Sequence, residues 1–428
     1  QTTFTGTIST HSQDARDSAA QFATARTGER ASAYRDGQAL GNAQSVTTEA
    51  LNNSVFTDVN RSAQDAVDAA ESNNGGVVIL TKRDIISSPI RVSDPGIHIF
   101  GYQGAAEIKA SSSVSHLIRF ENDASNSIDN CSLQGVFLNG QDNVTDSFID
   151  LQGLQHGRIR NVEGANGSGA SFVKIRPKDG DTNFVRFENI DLSAVDKAVD
   201  AVGTGSLRSF TDCQFRNWGV VEPNPSDGDV FTISDVQKST FQGIYVGSTN
   251  DYTNLIHLES PNKSCYLNQF DYIFTEVDYA SGSEDSTVVD IDEGSGFCFG
   301  NVVRRVGGFD GDDDWSDGTL VHINGGKHNL VEQVYGVNVT SGNAGGAVTI
   351  DDNDNRIETG GIPPGAVSDV VLDNGLRNLI NGVGSNGGDP SGTGVWNGNG
   401  AEGVIVRDTN NSNTYIYNNG TWSQIAST

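Results

Sequence analysis

A four-residue pattern of apolar, apolar, polar, apolar residues returns nine times along this chain, at intervals of roughly 24–33 residues, which is the mark of a repeat architecture. The copies are LIRF from Leu117, FIDL from Phe148, FVKI from Phe172, AVDA from Ala198, VFTI from Val230, LIHL from Leu255, VVDI from Val288, LVHI from Leu320 and AVTI from Ala347. A strand alternates its faces with period two, so the second and fourth positions point one way and the third the other. Ile118 with Phe120, Ile256 with Leu258, and Val289 with Ile291 therefore face inward, and a polar residue faces out. No copy hides its apolar face alone, whereas coil stacked on coil makes a continuous dry interior. The predicted fold class is all-β, a long parallel β-helix. A chain of 428 residues would otherwise suggest several domains. With 51 glycines, 9 prolines and only 35% apolar residues, it suits many tight corners around a thin core.

The 55 acidic and 27 basic residues leave a formal charge of −28, and only eight of the basic residues are lysine. Such a surface repels itself unless ions screen it, and the screening length shrinks to about 3 Å in 1 M salt. Asp-rich, Lys-poor composition resembles that of proteins from extreme halophiles. Nucleic acid is excluded as a partner because no basic stripe exists to meet phosphates. No stretch approaches the roughly 20 apolar residues of a membrane span. Cys131, Cys213, Cys265 and Cys298 are too far apart for a paired zinc motif. Cys265 and Cys298 share the offset of LIHL and VVDI, which places them on neighbouring coils, either as a disulfide or as stacked buried thiols.

Four regions follow. Residues 1–53 are polar and read as an N-terminal attachment segment, partly helical or extended, that is either flexible or ordered by a partner. Residues 54–111 carry a short helix and the first coils: SAQDAVDAAESNNGG has Ser62 as N-cap, an apolar stripe of Ala63, Ala66, Val67 and Ala70, and Gly75-Gly76 beyond its end. That helix is suited to plug the open end of the stack. Residues 112–385 form the parallel β-helix. Residues 386–428 form a strand-rich end in which Asn419-Gly420 marks a turn and Trp396, Tyr415, Tyr417 and Trp422 supply a core or a contact surface.

The run FTDVNRSAQDAVDAAESNNGGVVIL, followed by IHIFGYQGAAEIKA, resembles the entrance to the pectate-lyase-like right-handed parallel β-helices, especially the tailspikes of tailed viruses. The resemblance implies a homotrimer on the virion surface or outside the cell. The N-terminal segment would hold it to other virion proteins, and the C-terminal end would close the trimer. Its partner would be a host surface glycan or glycoprotein. Secreted polysaccharide lyases and hydrolases share the entrance motif, so an enzyme is the alternative, and a non-enzymatic structural surface protein is the third.

Asn161, Asn189, Asn217, Asn268 and Asn301 recur at related places and are expected to stack at a coil corner. The third positions of the tetrapeptides form an outward column from Arg119 through Asp150, Lys174, Asp200, Thr232, His257, Asp290 and His322 to Thr349. Its alternating charges serve either as structural register or as a site. Glu259, Asp290 and Asp292 are the candidate catalytic carboxylates, because carboxylates one coil apart approach the spacing of glycosidase pairs. His257, His322, Asp351, Tyr272, Tyr279 and Trp315 are the candidate glycan-binding residues. No cofactor is required, although Asp310, Asp312 and Asp314 alternate like the opening of a calcium loop and suit Ca²⁺ or Mg²⁺.

Overall fold

The computed structural model describes residues 54–56, 62–102, 106–121, 127–177, 181–201, 210–248, 252–262, 264–277, 286–310, 319–336, 348–351, 354–358, 371–373, 378–380, 383–386, 405–408, 413–418 and 421–427. The chain divides into Gln1–Val55 and Phe56–Thr428, and the stacked coils belong to the second unit. The expected attachment segment, residues 1–53, lies outside the described residues.

Each tetrapeptide forms the core of one strand in an eleven-stranded parallel sheet running from Ile90–Val92 to Val371–Asp373. The pairing register carries Ile118 onto Ile149, then Val173, Val199, Phe231, Ile256, Val289, Val321 and Val348. All nine are fully buried, so the fold is the parallel β-helix the repeat predicts. First positions such as Leu117, Phe148, Leu255 and Val288 are buried as well, although strict alternation would turn them outward. The register passes over them, from Asn254↔Thr287 to Ile256↔Val289, which marks a bend at which two successive side chains face the core.

A seven-stranded sheet of two- and three-residue strands forms a second side, from Ile128–Asp129 to Phe297–Phe299. The remaining sides belong to long strands such as Arg158–Gly167, Arg186–Val195 and Gln269–Val277. Two columns of left-handed residues run from coil to coil. One column holds Asn161, Asn189, Asn217, Gly243, Tyr272, Arg305 and Gln333, all at positive φ. The other holds His156, Phe184, Asp212, Lys238, Leu267, Gly300, His328 and Asp354. The left-handed region costs glycine nothing and asparagine little, but strains larger side chains by about 1 kcal/mol or more.

The asparagines make two ladders, not one. Asn161, Asn189 and Asn217 occupy the first corner column near the surface, where the Asn189 amide donates to Asn161 Oδ1 at 2.8 Å and the Asn217 amide to Asn189 Oδ1 at 3.0 Å. Asn268 and Asn301 start a second ladder, fully buried, that continues through Asn329, Asn355 and Asn378. Asn301 Oδ1 accepts from both the backbone N–H (3.1 Å) and the side-chain amide (3.0 Å) of Asn268, and Asn329 Oδ1 does the same for Asn301. Spacing alone merged the two because both recur once per coil. A column of stacked phenylalanines lies inside: Phe187, Phe215, Phe241 and Phe270, with ring centroids 4.6, 4.7 and 4.9 Å apart.

The helix Ala63–Glu71 forms with Ser62 as its N-cap, closed by a reciprocal bond with Asp65, and buries the four residues of the predicted stripe. It seals the first edge by mimicry. Gln64 donates to the Arg91 carbonyl (3.2 Å) and accepts from the Arg91 N–H (2.7 Å), while Glu71 accepts from the Ser93 N–H (2.6 Å). Edge groups left open by Ile90–Val92 are thereby paired. All four cysteines are buried free thiols, with Cys265 and Cys298 in register on adjacent coils. Burial pushes the Cys131 and Cys213 thiols up, to about 11 and about 12. At the C-terminus Ile405–Asp408, Asn413–Asn418 and Thr421–Ser427 pair antiparallel, and Asn418↔Thr421 brackets the predicted Asn-Gly turn. Tyr415 is buried there, whereas Trp396 lies outside the described residues.

Candidate functional site

Two outer surfaces carry the residues singled out by sequence. The first is the outward column of the eleven-stranded sheet, in the predicted order: Asp150 pairs with Lys174, Asp200 with Thr232, His257 with Asp290, and His322 with Thr349. In the early coils Arg119 Nε lies 2.9 Å from Asp150 Oδ2, and Arg176 holds both Asp146 (2.8 Å) and Asp150 (3.0 Å). Asp150 is wholly shielded by these neighbours despite its outward position.

In the later coils the column becomes an alternation of carboxylates and imidazoles. Asp229 Oδ2 lies 2.8 Å from His257 Nδ1, and His257 Nε2 lies 3.6 Å from Asp290 Oδ2. Asp290 Oδ1 is 2.9 Å from His322 Nδ1, and His322 Nε2 is 3.0 Å from Asp351 Oδ2. Burial works against the charged form of His257, but the bond to Asp229 and the charges of Asp229, Asp290 and Glu259 outweigh it and raise the imidazole to about 9. His322 is likewise raised to about 9, foremost by its bond to Asp290 and then by Asp351. Both rings are therefore cationic at neutral pH, and every charge in the column has an opposite neighbour. Glu259 and Asp292 stand in register beside this column. Glu259 accepts the Ser234 hydroxyl, and Asp292 Oδ1 accepts the Gly294 N–H at 3.0 Å. Sequence reasoning missed Asp229, which sits one residue ahead of the VFTI copy and shares the parity of the inward Phe231 and Ile233, so period two alone does not turn it outward.

The second surface is the corner at Tyr272. Its side chain is 54% exposed and its backbone is left-handed, φ 61°. Arg305, the next residue in the same corner column, lies with its guanidinium carbon 5.8 Å from the Tyr272 ring centroid. Asp271 fixes that guanidinium, Oδ1 accepting from Arg305 Nε at 2.7 Å. Phe274 meets the Tyr272 ring edge-on at 4.9 Å, and Tyr245, 42% exposed, is the register partner of Phe274. Tyr245 donates to Glu276, which raises its phenol to about 12. The corner thus combines exposed ring surface with a carboxylate, a guanidinium and a phenol.

These two surfaces are separate, since Tyr272 lies on the long strand Gln269–Val277 and the imidazoles lie on the eleven-stranded sheet. Tyr279, Asp312, Asp314 and Trp315 lie outside the described residues, and only the backbone of Asp310 is described, at the end of Val302–Asp310. Among the described residues no group of three or more His, Cys, Asp or Glu side chains is arranged to hold a metal ion. Among the described residues no helix is long and apolar enough to cross a membrane.

The geometry defines a parallel β-helix with a charge-alternating face and an aromatic corner. No protein family and no curated protein matches the sequence. Among solved structures, the chain is similar to an alginate lyase from Paenibacillus at 11% identity, covering 74% of this chain and 99% of that one with a TM-score of 0.45. It is similar to the A-module of a mannuronan C-5 epimerase from Azotobacter vinelandii at 14% identity, 77% and 95% coverage and a TM-score of 0.42. It is similar also to the tailspike of E. coli bacteriophage HK620, in complex with a pentasaccharide, at 11% identity, 72% and 67% coverage and a TM-score of 0.41. At such identities and scores no activity or ligand passes from these proteins to this chain.

Proposed function

We propose that this protein is a glycan-binding β-helix spike of the virion surface, a homotrimer held to the virion by residues 1–53, closed by residues 386–428, and suited to a high-salt host environment. One observation carries the binding reading. The first corner column is filled by Asn161, Asn189, Asn217 and Gly243, which tolerate a left-handed backbone, and then changes to Tyr272, Arg305 and Gln333, which do not. Coil register holds the backbone left-handed at this corner; a binding role accounts for the choice of an exposed tyrosine, backed by Arg305 and Asp271, where asparagine or glycine would cost less. A pyranose ring stacks on such a face while Asp271, Arg305 and Glu276 meet its hydroxyls. A charge of −28 favours a neutral saccharide over a polyanion.

Binding suits the contacts better than cleavage does. Asp290 is bracketed by two imidazoles, Glu259 is engaged by Ser234 and Asp292 by its own turn, contacts that serve the register of the coils.

Tyr272→Asn tests this reading because it moves two observables in opposite directions. Asparagine suits the left-handed corner, so thermal stability rises by about 1 kcal/mol. Loss of the ring lowers affinity for neutral cell-surface polysaccharide, titrated calorimetrically, by about tenfold or more. Unchanged affinity in the stabilised variant contradicts the proposal.

A further inference from the structure

The seven-stranded side differs from the rest of the molecule in charge and in how its rings are turned. Each coil contributes one outward strand residue and one left-handed corner residue. From Gln155-His156 to Lys327-His328 this gives fourteen described positions on seven coils, none of them buried. Asp212 is the one acid among them, in a chain with 55 acidic residues, although Asp129 and Asp354 flank the strip at its two ends, while Lys238 and Lys327 are basic. Four of the ten large apolar side chains exposed among the described residues gather here: Phe184, Leu267, Phe297 and Phe299, between 41% and 66% exposed.

Ring orientation decides what this strip can receive. Tyr266 and Phe299 stack on each other along the coil axis, centroids 5.1 Å apart and planes 9° from parallel. His156 and Phe184 do the same at 5.1 Å and 1°. Lys238 Nζ lies 6.0 Å from the Tyr266 centroid. Faces that a sugar would need are turned toward neighbouring coils, and ring edges point outward. Two such pairs, each spanning adjacent coils, make ridged apolar patches of the kind that protein packs against.

We propose that this strip is the surface through which copies of this chain associate. The occupant follows from charge. Two copies at −28 repel wherever their acidic faces meet, so close approach is possible only where acids are sparse, and this strip meets that condition over seven consecutive coils. The proposal rests on the homo-oligomeric spike described above and assigns its contact surface. Screening by salt strengthens the association, the reverse of a contact built on ion pairs.

The test is the mass of the full chain in solution, by sedimentation in 0.1 M and 1 M NaCl. Wild type is expected to run as an oligomer of the 45.3 kDa chain, more completely in 1 M salt. Phe297→Asp with Phe299→Asp runs at the single-chain mass, with association weakened by about 30-fold or more per ring lost. Ile85→Ser removes an equally exposed apolar side chain elsewhere and leaves the mass unchanged. Far-UV circular dichroism and a cooperative melt establish that each variant is folded, and Leu267→Ser with Phe184→Ser replaces the aspartates if it is not. A single-chain mass for wild type in both salts overturns the proposal, as does an oligomer that survives the substitutions. Loss of polysaccharide affinity with no change of mass would make the strip a saccharide surface and overturn it too. Failure of the Tyr272 corner to bind glycan, by contrast, leaves these masses as expected.

Discussion

At His257 and His322 the polar column makes its sharpest commitment. Each imidazole is raised from about 6.5 in the unfolded chain to about 9 in the fold. A base whose folded value is raised contributes stability that is fully present below its unfolded value and is lost as pH rises through the folded one. Stability should therefore be nearly flat from pH 5.5 to 6.5 and then fall by about 1–2 kcal/mol per pH unit toward pH 8.5, read from urea midpoints. Above about pH 8.5 the Cys131 and Cys213 thiols add a loss of their own, because the unfolded chain ionises them more readily. His257→Gln with His322→Gln should remove the slope between pH 6.5 and 8.5, and a slope unchanged in that variant contradicts the electrostatic account. The column was readable in the sequence because period two fixes which residues face out. Asp229 escaped because it lies outside the repeated tetrapeptide, and the burial of Asp150 escaped because it depends on Arg119 and Arg176 closing over it from other coils.

At the scale of elements, the coil corners distinguish two uses of one residue type. Asn301→Ala removes an acceptor that serves two donors of Asn268 and leaves them buried without it, a cost of about 3 kcal/mol. Asn189→Ala loses amide contacts near the surface and places alanine in a left-handed corner, a cost of about 1 kcal/mol. Chemical denaturation of both variants checks the ranking, and equal costs would mean that burial does not separate the ladders. Strands, the helix with its Ser62 cap and the final hairpin were legible because each leaves a local signal: alternation, a capping residue, an Asn-Gly pair. The two left-handed columns were not, since Tyr272, Arg305 and Leu267 carry no preference for that backbone. Only the register of neighbouring coils puts them there.

For the molecule as a whole, the balance is between a dry column inside and a charge of −28 outside. Self-repulsion acts over about 10 Å in 0.1 M salt and about 3 Å in 1 M, whereas the paired ladder charges are short-range and partly shielded. The melting temperature should accordingly rise between 0.1 and 1 M NaCl, as scanning calorimetry would record, and a fall would mean that the ion-paired face outweighs the net charge. Where a ligand sits is a question of which side of the coil it covers. Hydrogen exchange with and without neutral cell-surface polysaccharide answers it most directly. Protection confined to Gln269–Val277 and Val302–Asp310 is the expected result. Protection at Asn254–Glu259 and Thr287–Asp292 instead, or no protection anywhere, would contradict a binding corner at Tyr272.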